Sequence, residues 1–196
     1  VGMRAWLLTI MLVGFFHGDV HAGNLMVLPE GPGVGCLDFG IIGRFDRAQR
    51  HQILRYVLGL GARDFEAMAD VLMEIGAVGD EVDRDGFIAA LERTYGPLVT
   101  KSVQDIRYDA VLTQAVSVAL EFGVRLPKEF MLVLKQLLFF DRYAKLGAPE
   151  LNVFSDYYLV DFLFTPAAMD AGLDFNQLMP LLQKVQALTM ARDQAE

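Results

Sequence analysis

The chain has one cysteine, Cys36, which rules out an internal disulfide and fits a reducing compartment. It is short of positive charge: 17 Lys and Arg stand against 25 Asp and Glu, a formal net charge of −8. That balance argues against nucleic acid as a partner, since a phosphate backbone calls for a basic face. Long hydrophobic runs are missing too. The longest early one, Ala5 to Phe16, has 12 residues, whereas a membrane-spanning helix needs about 20. It is expected to be a buried helix. There is no signal-peptide order of charge, apolar core and cleavage site, and no repeat, long linker or low-complexity tract. The first residue is Val, so a piece of a longer protein is the expectation.

What is present is apolar material in quantity. Hydrophobic residues make up 54% of the 196 and charged ones 21%, which excludes wholesale disorder. A chain of this length buries roughly 70% of its unfolded surface, enough for a real core in one domain. Residues 3 to 15 read as a helix apolar on nearly every side. Leu25 to Leu28 and Val34 to Asp38, separated by the turn-rich PEGPG, read as a β-hairpin. Helical patterns dominate from there, over 48–61, 64–76, 86–95, 108–123, 127–145, 156–164 and 174–192. In the first of these, Ile53, Tyr56, Val57 and Leu60 share one face and Arg47, His51 and Arg55 the other. The second ends at Gly76, and Pro127 suits a first helical turn. The fold class expected is mainly α with a small β-hairpin.

Polar residues then cluster where the chain is otherwise apolar. HGDVHAGN, His17 to Asn24, is followed after the hairpin by Asp38-Phe39-Gly40. This is the order of parts that phosphoryl transfer requires: one Asp to accept or orient the attacking hydroxyl, then an Asn and a second Asp to hold Mg²⁺ against nucleotide phosphates. Oxygen ligands suit Mg²⁺, a hard cation that keeps several waters and needs few protein donors. A hairpin between the two motifs would bring Asn24 and Asp38 to one end.

These residues resemble the catalytic loop and metal motif of the protein-kinase-like fold. HGDVHAGN departs from the usual His-Arg-Asp loop and is similar to the atypical branch. The run of DFGIIGRF, Asp38 to Phe45, into a helix, with LPKEFMLVLKQLLFFDRYAK, Leu126 to Lys145, resembles the UbiB/AarF-type atypical kinases over residues 3 to 164. The resemblance implies a carboxyl-terminal lobe over 1–164, with a helical extension over 165–196. It makes Asp19 the catalytic aspartate and Asn24 and Asp38 the metal and nucleotide-binding residues. His17 becomes a structural brace near Phe39 and Gly40, and His21 matches a histidine of such loops without an assigned physical role. It implies ATP and Mg²⁺ as cofactors, a cytoplasmic protein peripheral to the membrane, and support of ubiquinone (isoprenoid quinone) biosynthesis or lipid handling. An isoprenoid quinone precursor or a membrane surface would be the partner.

Such folds also need a smaller amino-terminal lobe that supplies a Lys to the nucleotide. Only 16 residues precede His17, and they read as one helix, so a missing amino-terminal lobe is expected and the isolated chain should be inactive. Two rivals share the motif: a small-molecule kinase of the aminoglycoside phosphotransferase kind, and a non-catalytic helical binding module. Two further signals compete. EVDRDGFIAALE, Glu81 to Glu92, nearly matches a calcium loop, but Glu81 stands where Asp is expected; the alternative is an acidic turn whose Asp83 or Asp85 caps the next helix. RFDRAQRHQILR, Arg44 to Arg55, is the most basic stretch, read as a solvated face rather than a phosphate or lipid contact.

Overall fold

The computed structural model describes residues 2–29, 33–79, 81–100, 108–133, 135–136 and 173–193. The chain opens with α1, Gly2–Leu8, which loosens into a π-helical turn, Thr9–Val13. This is one helical segment, as the pattern predicts, but it is not buried on every side as expected. Trp6, Leu7, Ile10 and Met11 are buried, whereas Ala5, Thr9 and Val13 face solvent. Gly14 ends it at φ +70, and a Cβ there would lie 2.3 Å from the Phe45 carbonyl oxygen. Only glycine meets both demands.

Among the described residues four short strands follow, in two sheets where the sequence pattern shows one hairpin. β1, Phe15–His17, pairs antiparallel with β4, Ile42–Arg44, so that Phe16 faces Gly43 and His17 faces Ile42. β2, Leu25–Val27, pairs with β3, Val34–Cys36, as the hairpin pattern predicts. β1 escapes sequence reading because Phe15 and Phe16 continue the apolar run of α1. The glycine at 43 is what lets the first sheet close: a Cβ there would meet the Phe16 ring at 2.0 Å. Phe16 then stacks on Phe45 at 5.1 Å and takes the edge of Trp6 at 5.8 Å.

The helices that follow match the sequence pattern where they are described. α2, Arg47–Gly61, starts from a capping box between Asp46 and Gln49. α3, Phe65–Glu74, is capped by Asp64, whose side chain accepts from the Ala67 amide, and is followed by Gly76 at φ +67. α4, Arg84–Thr100, runs longer than the expected 86–95 and carries Pro97 within it. α5 is Tyr108–Glu121, α6 comprises the helical residues 128–133 and 135–136, and α7 is Phe175–Asp193. Pro127 stands just before α6, its carbonyl accepting from the Phe130 and Met131 amides. The helix expected over 156–164, and the part of 127–145 beyond 136, lie outside the described residues.

Two apolar clusters meet at α2. One joins Trp6, Ile10 and Phe16 to Ile53, Leu54 and Leu58 and to Leu178, Leu182 and Val185 of α7. The other joins Leu60 to Met68, Leu72, Phe87 and Leu91 on α3 and α4. α2 is therefore buried more widely than its expected stripe, since the buried Leu54 and Leu58 lie on the side of the helix that carries Arg47 and His51.

The calcium-loop match does not form a loop. From Arg84 onward the segment is helix α4, so Asp85, Gly86, Ile88 and Glu92 lie on a helical surface. Asp83 accepts from the Gly86 amide at 3.2 Å and caps that helix, as the alternative reading has it. The basic stretch is a solvated face in part, with Arg44 and Arg47 exposed, while some of its side chains reach protein partners. Arg50 donates to the Leu12 carbonyl, Arg55 pairs with Glu74, and Arg44 lies over the Phe15 ring at 5.4 Å.

Candidate functional site

The first sheet and the hairpin hold the two polar motifs against each other through His17 and Asn24. His17 is buried at the end of β1. Its Nε2 donates to the Leu37 carbonyl at 2.9 Å, and its Nδ1 accepts from the Asp19 amide at 3.0 Å. The pair of bonds fixes the neutral tautomer protonated on Nε2. The ring also packs against Phe39 with centroids 4.8 Å apart, and Trp6 Nε1 donates to the His17 carbonyl at 2.8 Å. Thus one histidine ties the loop carrying Asp19 to the residue preceding Asp38.

Asn24 makes the second tie. It ends a single 3₁₀ turn, Ala22–Asn24, capped by His21, whose Nδ1 accepts from the Gly23 amide at 3.1 Å. That cap is a physical role for His21. The Asn24 side chain, 7% exposed, donates from Nδ2 to the Asp19 carbonyl at 3.1 Å. Its own carbonyl accepts from the Leu37 amide at 2.8 Å. Among the described residues no protein donor meets Asn24 Oδ1, the atom a hard cation takes.

Asp38 follows Leu37 at φ +52, in the left-handed region that Asp tolerates better than most residues. Its Oδ1 accepts from the Gly40 amide at 3.1 Å, and a Cβ at residue 40 would stand 3.0 Å from that oxygen. Asp38 is an exposed residue. Hydrogen bonds therefore join Asp19, Asn24 and His17 to Leu37, the residue before Asp38, while Asp38 itself bonds the Gly40 amide. The donor set of one amide oxygen and one carboxylate fits Mg²⁺. Among the described residues no three His, Cys, Asp or Glu side chains group together.

Asp19 itself is held by two residues that the sequence reading passes over. Lys135 Nζ donates to Asp19 Oδ1 at 2.7 Å. That bond lowers the Asp19 pKa below the ordinary aspartate value despite some desolvation, with smaller help from the Lys135 charge. His21 Nε2 stands 3.9 Å from Oδ2. Gln136, 0% exposed, accepts from the Val20 amide and donates to the Gly18 carbonyl, both at 2.8 Å. It grips the backbone on either side of Asp19. The signal was visible in principle: Lys135 and Gln136 are the polar pair in the apolar stretch Phe130 to Phe140.

Comparison with known proteins places these observations in a family. Residues 1–72 match the ABC1 atypical kinase-like domain and residues 91–152 the UbiB helical domain. An uncharacterized aarF domain-containing chloroplast protein kinase of Arabidopsis thaliana is 32% identical over 177 residues, covering 79% of this chain and 33% of that protein. An uncharacterized Mycobacterium tuberculosis protein is 37% identical over 150 residues, 76% of this chain and 30% of the relative. A probable protein kinase UbiB of Actinobacillus pleuropneumoniae is 26% identical over 155 residues, 78% and 28% respectively. The chain spans about a third of the length of the curated relatives it matches. No solved structure gives a significant match.

Proposed function

Since the chain belongs to the UbiB/ABC1 atypical kinase family, we propose that it forms the carboxyl-terminal lobe of an ATP-dependent phosphotransferase or ATPase. The observation that carries this reading is the set of hydrogen bonds that joins Asp19, Asn24 and His17 to Leu37, the residue before Asp38. There, Asp19 accepts the proton of the attacking hydroxyl or water, while Asn24 and Asp38 offer oxygens to Mg²⁺. When bound, Mg²⁺ supplies positive charge against the nucleotide phosphates. The protein's own part is positioning: His17 and Asn24 fix the distance between the two motifs, and Gly40 leaves room for the Asp38 carboxylate.

The lysine and the nucleotide-covering loop come, on this reading, from an amino-terminal lobe elsewhere in the full protein. Exposed apolar side chains beside the site support that arrangement. Phe39 is 51% exposed and Val27 81%, with Met26, Leu37, Ile41 and Ile42 also open to solvent. An exposed apolar patch is the mark of a surface meant to be covered. Without that lobe the segment binds nucleotide weakly and turns it over poorly or not at all. The UbiB helical match over 91–152 favours this family over the aminoglycoside phosphotransferase kind. The wider role, taken from the resemblance alone, is support of isoprenoid quinone biosynthesis or lipid handling by a protein peripheral to a membrane. Among the described residues no helix is long and apolar enough to cross one.

Asp19→Asn in the complete protein tests the assignment. A general base contributes about 10²–10⁴-fold in rate, so ATP turnover should fall by at least about 10²-fold. Unchanged turnover would remove Asp19 from the chemistry.

A further inference from the structure

We propose that Lys135 is a positioning residue for Asp19, pinning one carboxylate oxygen so that the other alone faces the proton it receives. This rests on the phosphoryl-transfer reading above, and deepens it. The geometry is specific. Lys135 and Gln136 are successive residues of α6, yet one holds the side chain of residue 19 and the other the backbone on either side of it. Lys135 Nζ meets the carboxylate Oδ1 at 2.7 Å, and Gln136 bonds the backbone at residues 18 and 20, both at 2.8 Å. A buried amide making two hydrogen bonds to one loop is a rigid clamp, because either bond lost inside the protein leaves a polar group unpaired.

With the backbone fixed on both sides, the side chain retains freedom about its own torsions. The ammonium removes that freedom by holding Oδ1. The outer oxygen, Oδ2, is left on the His21 side, 3.9 Å from that ring's Nε2. In the transfer step the acceptor oxygen bonds phosphorus and the bond to the ADP oxygen breaks. The hydroxyl proton passes to Oδ2. A carboxylate free to turn would spend part of its time with neither oxygen aligned, and misplacement by about 1 Å costs on the order of 10²-fold. α6 therefore lies outside the two motifs but forms part of the catalytic apparatus. It lies more than 110 residues along the chain from Asp19, as the separation of 116 between the bonded residues shows.

The test uses the complete protein and four variants: Lys135→Met, Lys135→Gln, Lys135→Arg, and Lys135→Met combined with Asp19→Asn. Thermal melts establish which of them fold, and Lys135→Gln serves if the methionine variant does not. The expected result is a kcat for Lys135→Met about 10- to 100-fold below wild type with KM for ATP nearly unchanged, since only alignment is lost. Lys135→Arg, which keeps the charge and the donor, should recover most of the loss. In the Asp19→Asn background the lysine substitution should cost nothing further, because a residue that acts through Asp19 has nothing left to act on. An active wild type whose lysine variants keep kcat, or whose double variant loses a further multiplicative factor, overturns this inference and leaves the phosphotransferase reading intact. A complete protein with no ATP turnover overturns both.

Discussion

His17 illustrates how much one side chain decides here. Its ring spends both nitrogens on backbone groups from opposite motifs, and its face on Phe39. Removing it would free the Asp19 loop from Leu37 and take the protein partner from two part-buried backbone groups. Gly43 is the other residue on which the site depends, for a steric reason: any side chain there would occupy the space of the Phe16 ring. Gly43→Ala should destabilise the chain by about 1–3 kcal/mol, the usual cost of overpacking a core, measured by urea unfolding. An unchanged midpoint would mean that the ring moves aside freely. At this scale the sequence was readable where chemistry sets residue type. His17, Asp19, Asn24 and Asp38 stand out as polar residues in apolar surroundings. Lys135 and Gln136 stood out by the same criterion, but their partners lie at residues 18 to 20, and nothing in the linear order indicates contact over that separation.

Elements were legible where one period governs them and less so where two compete. α3 shows its cap, stripe and stop in order, and it starts and ends near where the pattern places it. β1 does not, because its two phenylalanines extend a helical apolar run and its pairing partner β4 lies beyond the hairpin. α3 also provides a pH test. Asp64 caps it and pairs with Lys184 of α7, so one carboxylate joins two elements. Burial pushes its pKa up, but the Lys184 bond and the Ala67 amide outweigh that, and the net shift is downward from 3.8. A lowered folded-state pKa means stability that is fully present above the unfolded value and lost as pH falls through the folded one. Stability should therefore decline below about pH 4, and Asp64→Asn should flatten that part of the acid limb in urea titrations at several pH values. Asp64→Ala should cost about 1 kcal/mol at neutral pH through the lost cap. Burial makes a larger demand on α7. Leu182 is fully buried against the first core, and Leu182→Ala should cost about 2–5 kcal/mol.

For the whole molecule, the mainly helical class follows from composition and period, but the way two cores share α2 does not. That sharing depends on which flank of α2 meets α7 and which meets α3, a tertiary choice that a 3.6-residue period leaves open. Its consequence for function is mechanical continuity: α7 packs on α2, α2 packs on the π-helical turn after α1, and that turn leads into the strand that ends in His17. The candidate site is thus built on packed elements, while its apolar outer surface stays open. That is the arrangement expected of one lobe whose partner completes a nucleotide cleft.

The most direct test of a metal-bridged nucleotide at Asn24 and Asp38 is the melting temperature of the complete protein with ATP, with and without Mg²⁺, compared with Asp38→Asn. The asparagine keeps the left-handed backbone accessible while it removes the charge and one of the two carboxylate oxygens. Wild type should gain about 2.7 kcal/mol of stability at ATP concentrations near a hundredfold above Kd, only when Mg²⁺ is present, and Asp38→Asn should lose that gain. A rise that is independent of Mg²⁺, or one that survives intact in Asp38→Asn, would contradict the account.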